Sequence, residues 1–147
     1  MPTNLLIQPI TFKVAYDSYT VDFGEILAFE HDDLVSYMKY LTEIFAALSV
    51  HRNTAQRHVA VLKHKLALIL SKSEIEIRSA YAAENERAVN SAIYSHQHDP
   101  KKYPDIIKLE REIIEAEFEY NKAKSACDSM WFLVDVLRKK REENDRE

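Results

Sequence analysis

The chain contains one glycine, Gly24, and four prolines among 147 residues. Most tight turns need one of these two residues, so their scarcity predicts long helices. The single cysteine, Cys127, excludes an internal disulfide framework and fits a reducing compartment. No stretch approaches the roughly 20 apolar residues of a membrane span, and the N-terminus lacks the basic and apolar segments of a signal peptide. The sequence therefore predicts a cytoplasmic protein with no membrane partner.

The residue patterns of common enzyme sites are also missing. A phosphate-binding loop needs several glycines, and neither Cys-x-x-Cys nor Glu-x-x-His occurs. His51 and His58 could share a helix face, and His96 and His98 lie beside Asp99. Solvated or hydrogen-bonded histidines are more common than metal ligands in such settings. We expect no enzyme activity, no cofactor and no metal site.

Near the N-terminus, apolar and polar residues alternate. The apolar positions are Ile10, Phe12, Val14 and Tyr16, and then, after Asp17 and Ser18, Tyr19, Val21 and Phe23. This period of two, with β-branched and aromatic residues, predicts a short β-hairpin or an extended arm. Because an isolated hairpin is marginal in water, it must pack on helices or on another subunit. We assign residues 1–29 to this arm and residues 30–147 to a helical domain.

From residue 32 to residue 98 there is neither glycine nor proline, and apolar residues recur three or four positions apart. Ser49, Asn53 and Thr54 are weak helix formers, so a break near them is one interpretation and a single long helix the other. With the break, helices are predicted at about 32–48, 54–98 and 105–144. The predicted fold is all-α. It combines an elongated, antiparallel, coiled-coil-like hairpin with an N-terminal helix and the short arm.

The last helix carries the most regular apolar stripe in the chain, at the spacing of a coiled-coil seam. The predicted seam residues are Ile106, Leu109, Ile113, Tyr120, Cys127, Met130, Trp131, Val134 and Leu137. A seam position makes Cys127 a core residue rather than a nucleophile. Trp131 widens the apolar surface beyond what two helices cover, which predicts self-association.

Charge is strongly segregated along the chain. Residues 49–73 contain five Lys or Arg, three His and no acid, although the whole chain has a formal net charge of −4. Such a stretch is typical of a polyanion-binding surface, and its lack of aromatic residues favours contact with phosphates over base stacking. A helical hairpin turning near residue 102 would place Arg138 opposite Lys65 and add residues 138–141 to the stretch. Alternatively, the seven acids of residues 17–43 neutralise it.

Three segments together resemble the UvsY-like recombination mediator proteins of bacteriophages. They are Tyr37-Met38-Lys39-Tyr40-Leu41, then Val61-Leu62-Lys63-His64-Lys65-Leu66-Ala67 followed by Ser73-Glu74 and Arg78, and Cys127 with Leu133, Val136 and Leu137 before Arg138 and Arg141. The resemblance covers roughly residues 30–141. It implies a ring-like homo-oligomer that binds single-stranded DNA and helps load a recombinase onto strands coated by single-strand-binding protein. It also implies the cytoplasm of an infected bacterial host.

The family's DNA-contacting helix maps onto Lys63, Lys65, Lys72 and Arg78. Charge alone adds Arg52, Arg57, Arg138, Lys139, Lys140 and Arg141. We therefore expect a non-enzymatic, oligomeric protein that binds single-stranded nucleic acid in DNA recombination. The alternative is a coiled-coil protein-interaction module, such as a phage adaptor, inhibitor or structural protein, whose basic end binds an acidic protein partner.

Overall fold

A computed structural model describes residues 9–14, 17–22 and 34–146, without the side chains of Leu34, Lys140, Arg141 and Asn144. Within this part of the chain, two strands precede three helices. They are β1 (Ile10–Val14), β2 (Asp17–Val21), α1 (Leu34–Ala80), α2 (Glu86–Gln97) and α3 (Pro104–Arg146). The long helices α1 and α3 pack together. The predicted fold class, helical with a short N-terminal β-hairpin, is confirmed.

The chain forms two compact units. The first unit consists of Met1–Ala55 with Tyr120–Glu147, and the second is Gln56–Glu119. The first unit therefore joins the β-hairpin to the beginning of α1 and the end of α3. The second unit contains the rest of both long helices together with α2.

The β-hairpin of the first unit packs on helices, as its marginal stability alone requires. Its strands pair in antiparallel register from Ile10 opposite Val21 to Val14 opposite Asp17. Phe12 and Val21 are buried in the main apolar cluster, and the Phe12 ring stacks on His51 of α1 with centroids 5.0 Å apart. Tyr16, Phe23 and Gly24 of the predicted arm lie outside the described residues.

The core of the first unit lies between the hairpin, α1 and α3. Leu41, Leu48 and Met130 are 0% exposed at its centre. The remaining buried members of the cluster are Phe12, Val21, Tyr37, Ile44, Ala47, Ala126 and Cys127. Burial of this kind stabilises the fold by roughly 1.5–3 kcal/mol for each large aliphatic side chain. Contact among the hairpin, α1 and α3 therefore stabilises this unit.

In the second unit, α2 is tied to α1 by a buried polar contact. Ser73 is almost fully buried on α1. The Gln97 side-chain amide donates to Oγ of Ser73 at 2.8 Å and to the carbonyl of Leu70 at 3.2 Å. Because buried hydroxyl groups need partners, these bonds fix the end of α2 against α1.

Of the two interpretations, the break near residues 49–54 is wrong and a continuous helix through them is right, because α1 runs without interruption from Leu34 to Ala80. The hydroxyl of Ser49 donates to the carbonyl of Phe45 at 2.9 Å, and that of Thr54 donates to the carbonyl of Val50 at 3.0 Å. Such bonds to the preceding turn let serine and threonine sit inside a helix without ending it.

The predicted helix over 54–98 is also wrong, since α1 ends at Ala80 and α2 begins at Glu86. The side-chain oxygen of Asn85 accepts a hydrogen bond from the backbone N–H of Ala88 at 2.8 Å. This is the bond by which an N-cap residue satisfies an unpaired amide of the first turn. The helix therefore ends and restarts without glycine or proline.

The pairing between α1 and α3 differs from the one that placed Lys65 opposite Arg138. In the second unit, Nζ of Lys63 lies 2.9 Å from Oε1 of Glu117. In the first unit, the rings of Phe45 and Trp131 are in contact. Lys63 thus meets α3 about six helical turns earlier than predicted. The cause is that residues 81–103 form a separate helix with two connections instead of one turn.

The core of the first unit yields a stability prediction. Leu41→Ala removes a fully buried side chain and leaves a cavity, so we expect the free energy of unfolding to fall by about 2–5 kcal/mol. Val35→Ala, in the same helix but at an exposed position, should change it by less than about 0.5 kcal/mol. Urea denaturation followed by circular dichroism measures both. Equal losses in the two variants would contradict the assigned core.

Candidate nucleic-acid interface

The acid-free stretch 49–73 lies within α1. Three of its cations alternate with aliphatic residues along one exposed stripe, at steps of three or four residues. The order is Arg57, Val61, Lys65, Leu68, Lys72 and Ile75. Steps of this size keep residues on the same side of a helix. We call Arg57, Lys65 and Lys72 the cationic face, and Val61, Leu68 and Ile75 the aliphatic stripe.

The cationic face is long and open. Among the described residues, no ion pair includes Arg57, Lys65 or Lys72. All three side chains are exposed in the second unit. From Arg57 to Lys72 the helix rises about 22 Å. Successive cations are therefore separated by about two turns of helix.

Lys63 differs from its neighbours because it is paired with an acid of the same chain. Its partner Glu117 belongs to a run of five glutamates between residues 110 and 119. Both side chains are about half exposed, so the pair contributes roughly 0–1 kcal/mol to stability. Its larger effect is local neutralisation, which makes Lys63 a poorer phosphate contact than Lys65. Glu117 lies outside the acids of residues 17–43 that the alternative names, so that alternative stays a prediction.

Arg78, predicted from the family resemblance, is held at the end of α1 by two carboxylates. Its guanidinium donates to Glu74 at 3.0 Å and to Glu86 at 3.2 Å. Hydrogen bonds to Glu74 and Glu86 raise the pKa of Arg78, and burial acts in the opposite direction. Glu86 stands in the first turn of α2. Arg78 therefore bridges two helices.

The cations at the end of α3 do not join the stretch in the way the predicted pairing required. Arg138 and Lys139 lie in the first unit and share Asp135, at 2.6 Å and 3.3 Å. Lys65 and Lys72 lie in the second unit. Lys140 and Arg141 belong to α3, but their side chains lie outside the described part. Because Lys63 contacts Glu117 within the second unit, the pairing of Lys65 with Arg138, on which the combined patch rested, is wrong.

The predicted seam of α3 is largely used inside the chain itself. Ile106, Ile113, Cys127 and Met130 are buried, while Leu109, Tyr120, Val134 and Leu137 are partly buried. Trp131 is the exception, with 56% of its surface exposed. Two adjacent residues of a helix point about 100° apart, so Met130 and Trp131 cannot both enter one seam.

Aromatic side chains occur beside cations in the first unit, which the sequence of residues 49–73 gave no reason to expect. Trp131 of α3 contacts Phe45 of α1 with ring centroids 6.2 Å apart. Arg52 follows Phe45 by seven residues, so it lies on the same side of α1. Its guanidinium donates to the Asn53 side chain at 3.3 and 3.4 Å in exposed hydrogen bonds.

His96 and His98, which the sequence places beside Asp99, make structural contacts. His96 lies 3.3 Å from the hydroxyl of Tyr81, and Nδ1 of His98 lies 2.8 Å from the carbonyl of Tyr94. Asp99 accepts from the backbone of Lys101 and shapes the connection into α3. Within the described ranges, no group of three or more His, Cys, Asp or Glu could hold a metal ion.

Comparisons with protein-family models, curated proteins and solved structures found no match to this chain. Among the helices that the structure describes, none has the length and apolar character needed to cross a membrane.

The environment of Cys127 gives a chemical prediction. Burial raises the pKa of the thiol, while the charge of the Arg52 guanidinium opposes that increase. Because the thiolate is the reactive form, we expect Cys127 in the folded protein to be alkylated by iodoacetamide far more slowly at pH 8 than in urea. Mass spectrometry of timed samples measures both rates. A native rate equal to the unfolded rate would contradict the buried position.

Proposed function

We propose that the protein is a non-enzymatic nucleic-acid-binding protein whose cationic face contacts the phosphate backbone. The observation that carries the proposal is that Arg57, Lys65 and Lys72 are exposed on one side of α1 and absent from the ion pairs of the described residues. An acidic chain with a formal net charge of −4 would ordinarily repel a polyanion. Segregation of charge overcomes that repulsion locally, because salt screens charges beyond about 10 Å.

The mechanism is electrostatic capture. Each phosphate neutralised by Lys or Arg releases counterions, and this release drives binding without regard to sequence. Three cations on one chain give only weak affinity. Several copies acting together would multiply it by effective concentration, so the proposal includes self-association.

The resemblance to UvsY-like mediators narrows the proposal to single-stranded DNA in recombination. In that role the protein, working in the cytoplasm of an infected bacterium, would hold the strand while a recombinase replaces single-strand-binding protein. The residues that support it directly are Lys65 and Lys72 of the family-mapped set. Lys63 and Arg78 support it less, because both are already in ion pairs. Lys63 is paired with Glu117, and Arg78 with Glu74 and Glu86.

The aliphatic stripe supports a second candidate function, a protein-interaction module. Val61, Leu68 and Ile75 are 45%, 58% and 67% exposed between the cations. Phosphates gain nothing from contact with aliphatic side chains. An acidic amphipathic helix, in contrast, would bury them and pair its carboxylates with Lys65 and Lys72. The partner would then be an acidic protein surface.

The nucleic-acid proposal predicts a steep dependence on salt. For a fluorescein-labelled single strand of thymidines, we expect the affinity to fall steadily from 50 to 500 mM NaCl in anisotropy titrations. Lys65→Ala and Lys72→Ala should each weaken binding and lower the slope against log salt by about 0.7. Lys102→Ala removes the same charge from the exposed connection before α3 and should change the slope little. Affinity independent of salt would contradict the proposal.

The two candidate functions predict different effects of Leu68→Ser, which keeps every charge. If the protein binds nucleic acid, the affinity of the Leu68→Ser variant for the oligonucleotide should stay within about twofold of wild type, because phosphates do not contact Leu68. An interaction module should bind a random glutamate–tyrosine copolymer and lose part of that affinity in the variant. Competition titrations against the labelled strand measure both. Tight copolymer binding that is weakened by Leu68→Ser, with no binding of the strand, would favour the interaction module.

A further inference from the structure

We propose that Trp131, supported by Phe45, is a stacking site for an unpaired base of single-stranded nucleic acid. This inference rests on the proposed function and adds a second contact, in the first unit, to the phosphate contacts of the cationic face. It concerns only residues of α1 and α3 within that unit.

The Trp131 side chain is exposed to solvent and not buried in the core. Met130 fills the core position beside it with 0% exposure, and 56% of Trp131 remains accessible. The Phe45 ring, tilted by 42° with its centroid 6.2 Å away, supports one side of the indole. Phe45 is itself packed against the core of the unit. A large aromatic ring held against a fixed support and open to solvent is what a base needs for stacking.

Cations lie on both sides of Trp131 along α3. Lys124 precedes it and Arg138 follows it by seven residues, which is about two turns, so all three lie on one side of the helix. Both cations are exposed. On α1, Arg52 lies near Cys127, whose pKa its charge affects. Cys127 stands one turn before Trp131. A strand whose base stacks on Trp131 thus has Lys124 for a phosphate in one direction, while Arg138 in the other direction is shared with Asp135.

The acids on this side limit how much phosphate attraction contributes. Asp128 and Asp135 alternate with Lys124, Trp131 and Arg138 along the same stripe. Asp135 is occupied by Arg138 and Lys139, and Asp128 remains exposed between Lys124 and Trp131. The charges therefore nearly balance. Ring stacking has to supply most of the affinity at this site, which distinguishes it from the cationic face.

The chemistry selects a single strand over a duplex. In a duplex each base face is covered by its neighbours, so none is available to an indole ring without unstacking. In a single strand the bases are accessible, and stacking on an aromatic side chain tolerates every base. The partner is therefore flexible single-stranded DNA or RNA with bases present.

The test uses the fact that Trp131 is the only tryptophan of the chain. Its fluorescence is titrated with a thymidine 16-mer and with an abasic strand of the same length and phosphate number. We expect the thymidine strand to quench the emission and to bind at least roughly tenfold more tightly than the abasic strand. The abasic strand should bind through phosphates and leave the emission nearly unchanged.

Variants identify the residue responsible, with affinities measured by anisotropy of labelled strands. Trp131→Leu should abolish the preference for the thymidine strand, and Trp131→Phe should keep part of it. Phe132→Leu is the matched control, because Phe132 is 66% exposed on another side of α3 and should leave the preference intact. Asp128→Asn should tighten both strands by removing an opposing charge. Circular dichroism of each variant verifies the fold.

The outcomes separate this inference from the proposed function. Equal affinity of the wild-type protein for the two strands, with salt-dependent binding retained, would overturn the stacking site and leave phosphate binding in place. A preference that persists in Trp131→Leu would also overturn it. Failure of both strands to bind at 50 mM salt would overturn the proposed function and the stacking site together.

Discussion

The antiparallel contact between α1 and α3 determines which side chains are buried and which stay exposed to a partner. In the first unit it buries Leu41 and Leu48 of α1 against Cys127 and Met130 of α3, and the β-hairpin closes the same core through Phe12 and Val21. Because these side chains are buried against one another within the chain, the apolar stripe of α3 is not the exposed seam that its spacing alone suggests. The exposed groups of the described residues include the cationic face, the aliphatic stripe and the indole ring of Trp131. Function must be sought among those groups.

Much of the fold follows from the sequence. Apolar residues alternate with polar ones around Phe12 and Val14 and again around Tyr19 and Val21, and this pattern predicts the hairpin. The three-to-four spacing that includes Leu41, Ile44 and Leu48 predicted a helix with one buried side. Those signals are strong because burial of a whole face decides them, and many residues contribute to each.

The details that failed depend on single contacts. Asn85 caps α2 through one side-chain oxygen, and Ser49 and Thr54 are tolerated in α1 through one hydrogen bond each. Propensity treats all three residues alike, as weak helix formers, so it cannot tell a cap from an interior position. Because the helix was predicted to continue to residue 98 instead of ending at Ala80, the predicted pairing of its residues with those of α3 was shifted. As a result, the contact between Lys63 and Glu117 does not follow from the predicted pairing.

Among the candidate site residues, Arg57, Lys65 and Lys72 could be named from charge segregation, and the structure adds that they share an exposed side of α1. The most direct test of the account is the acetylation of each lysine by a mild acetylating reagent, read by mass spectrometry with and without a saturating thymidine strand. The account predicts strong protection of Lys65 and Lys72, with Lys101 and Lys102 unprotected. Equal protection of all four lysines, or none at any of them, would contradict a phosphate-binding face on α1.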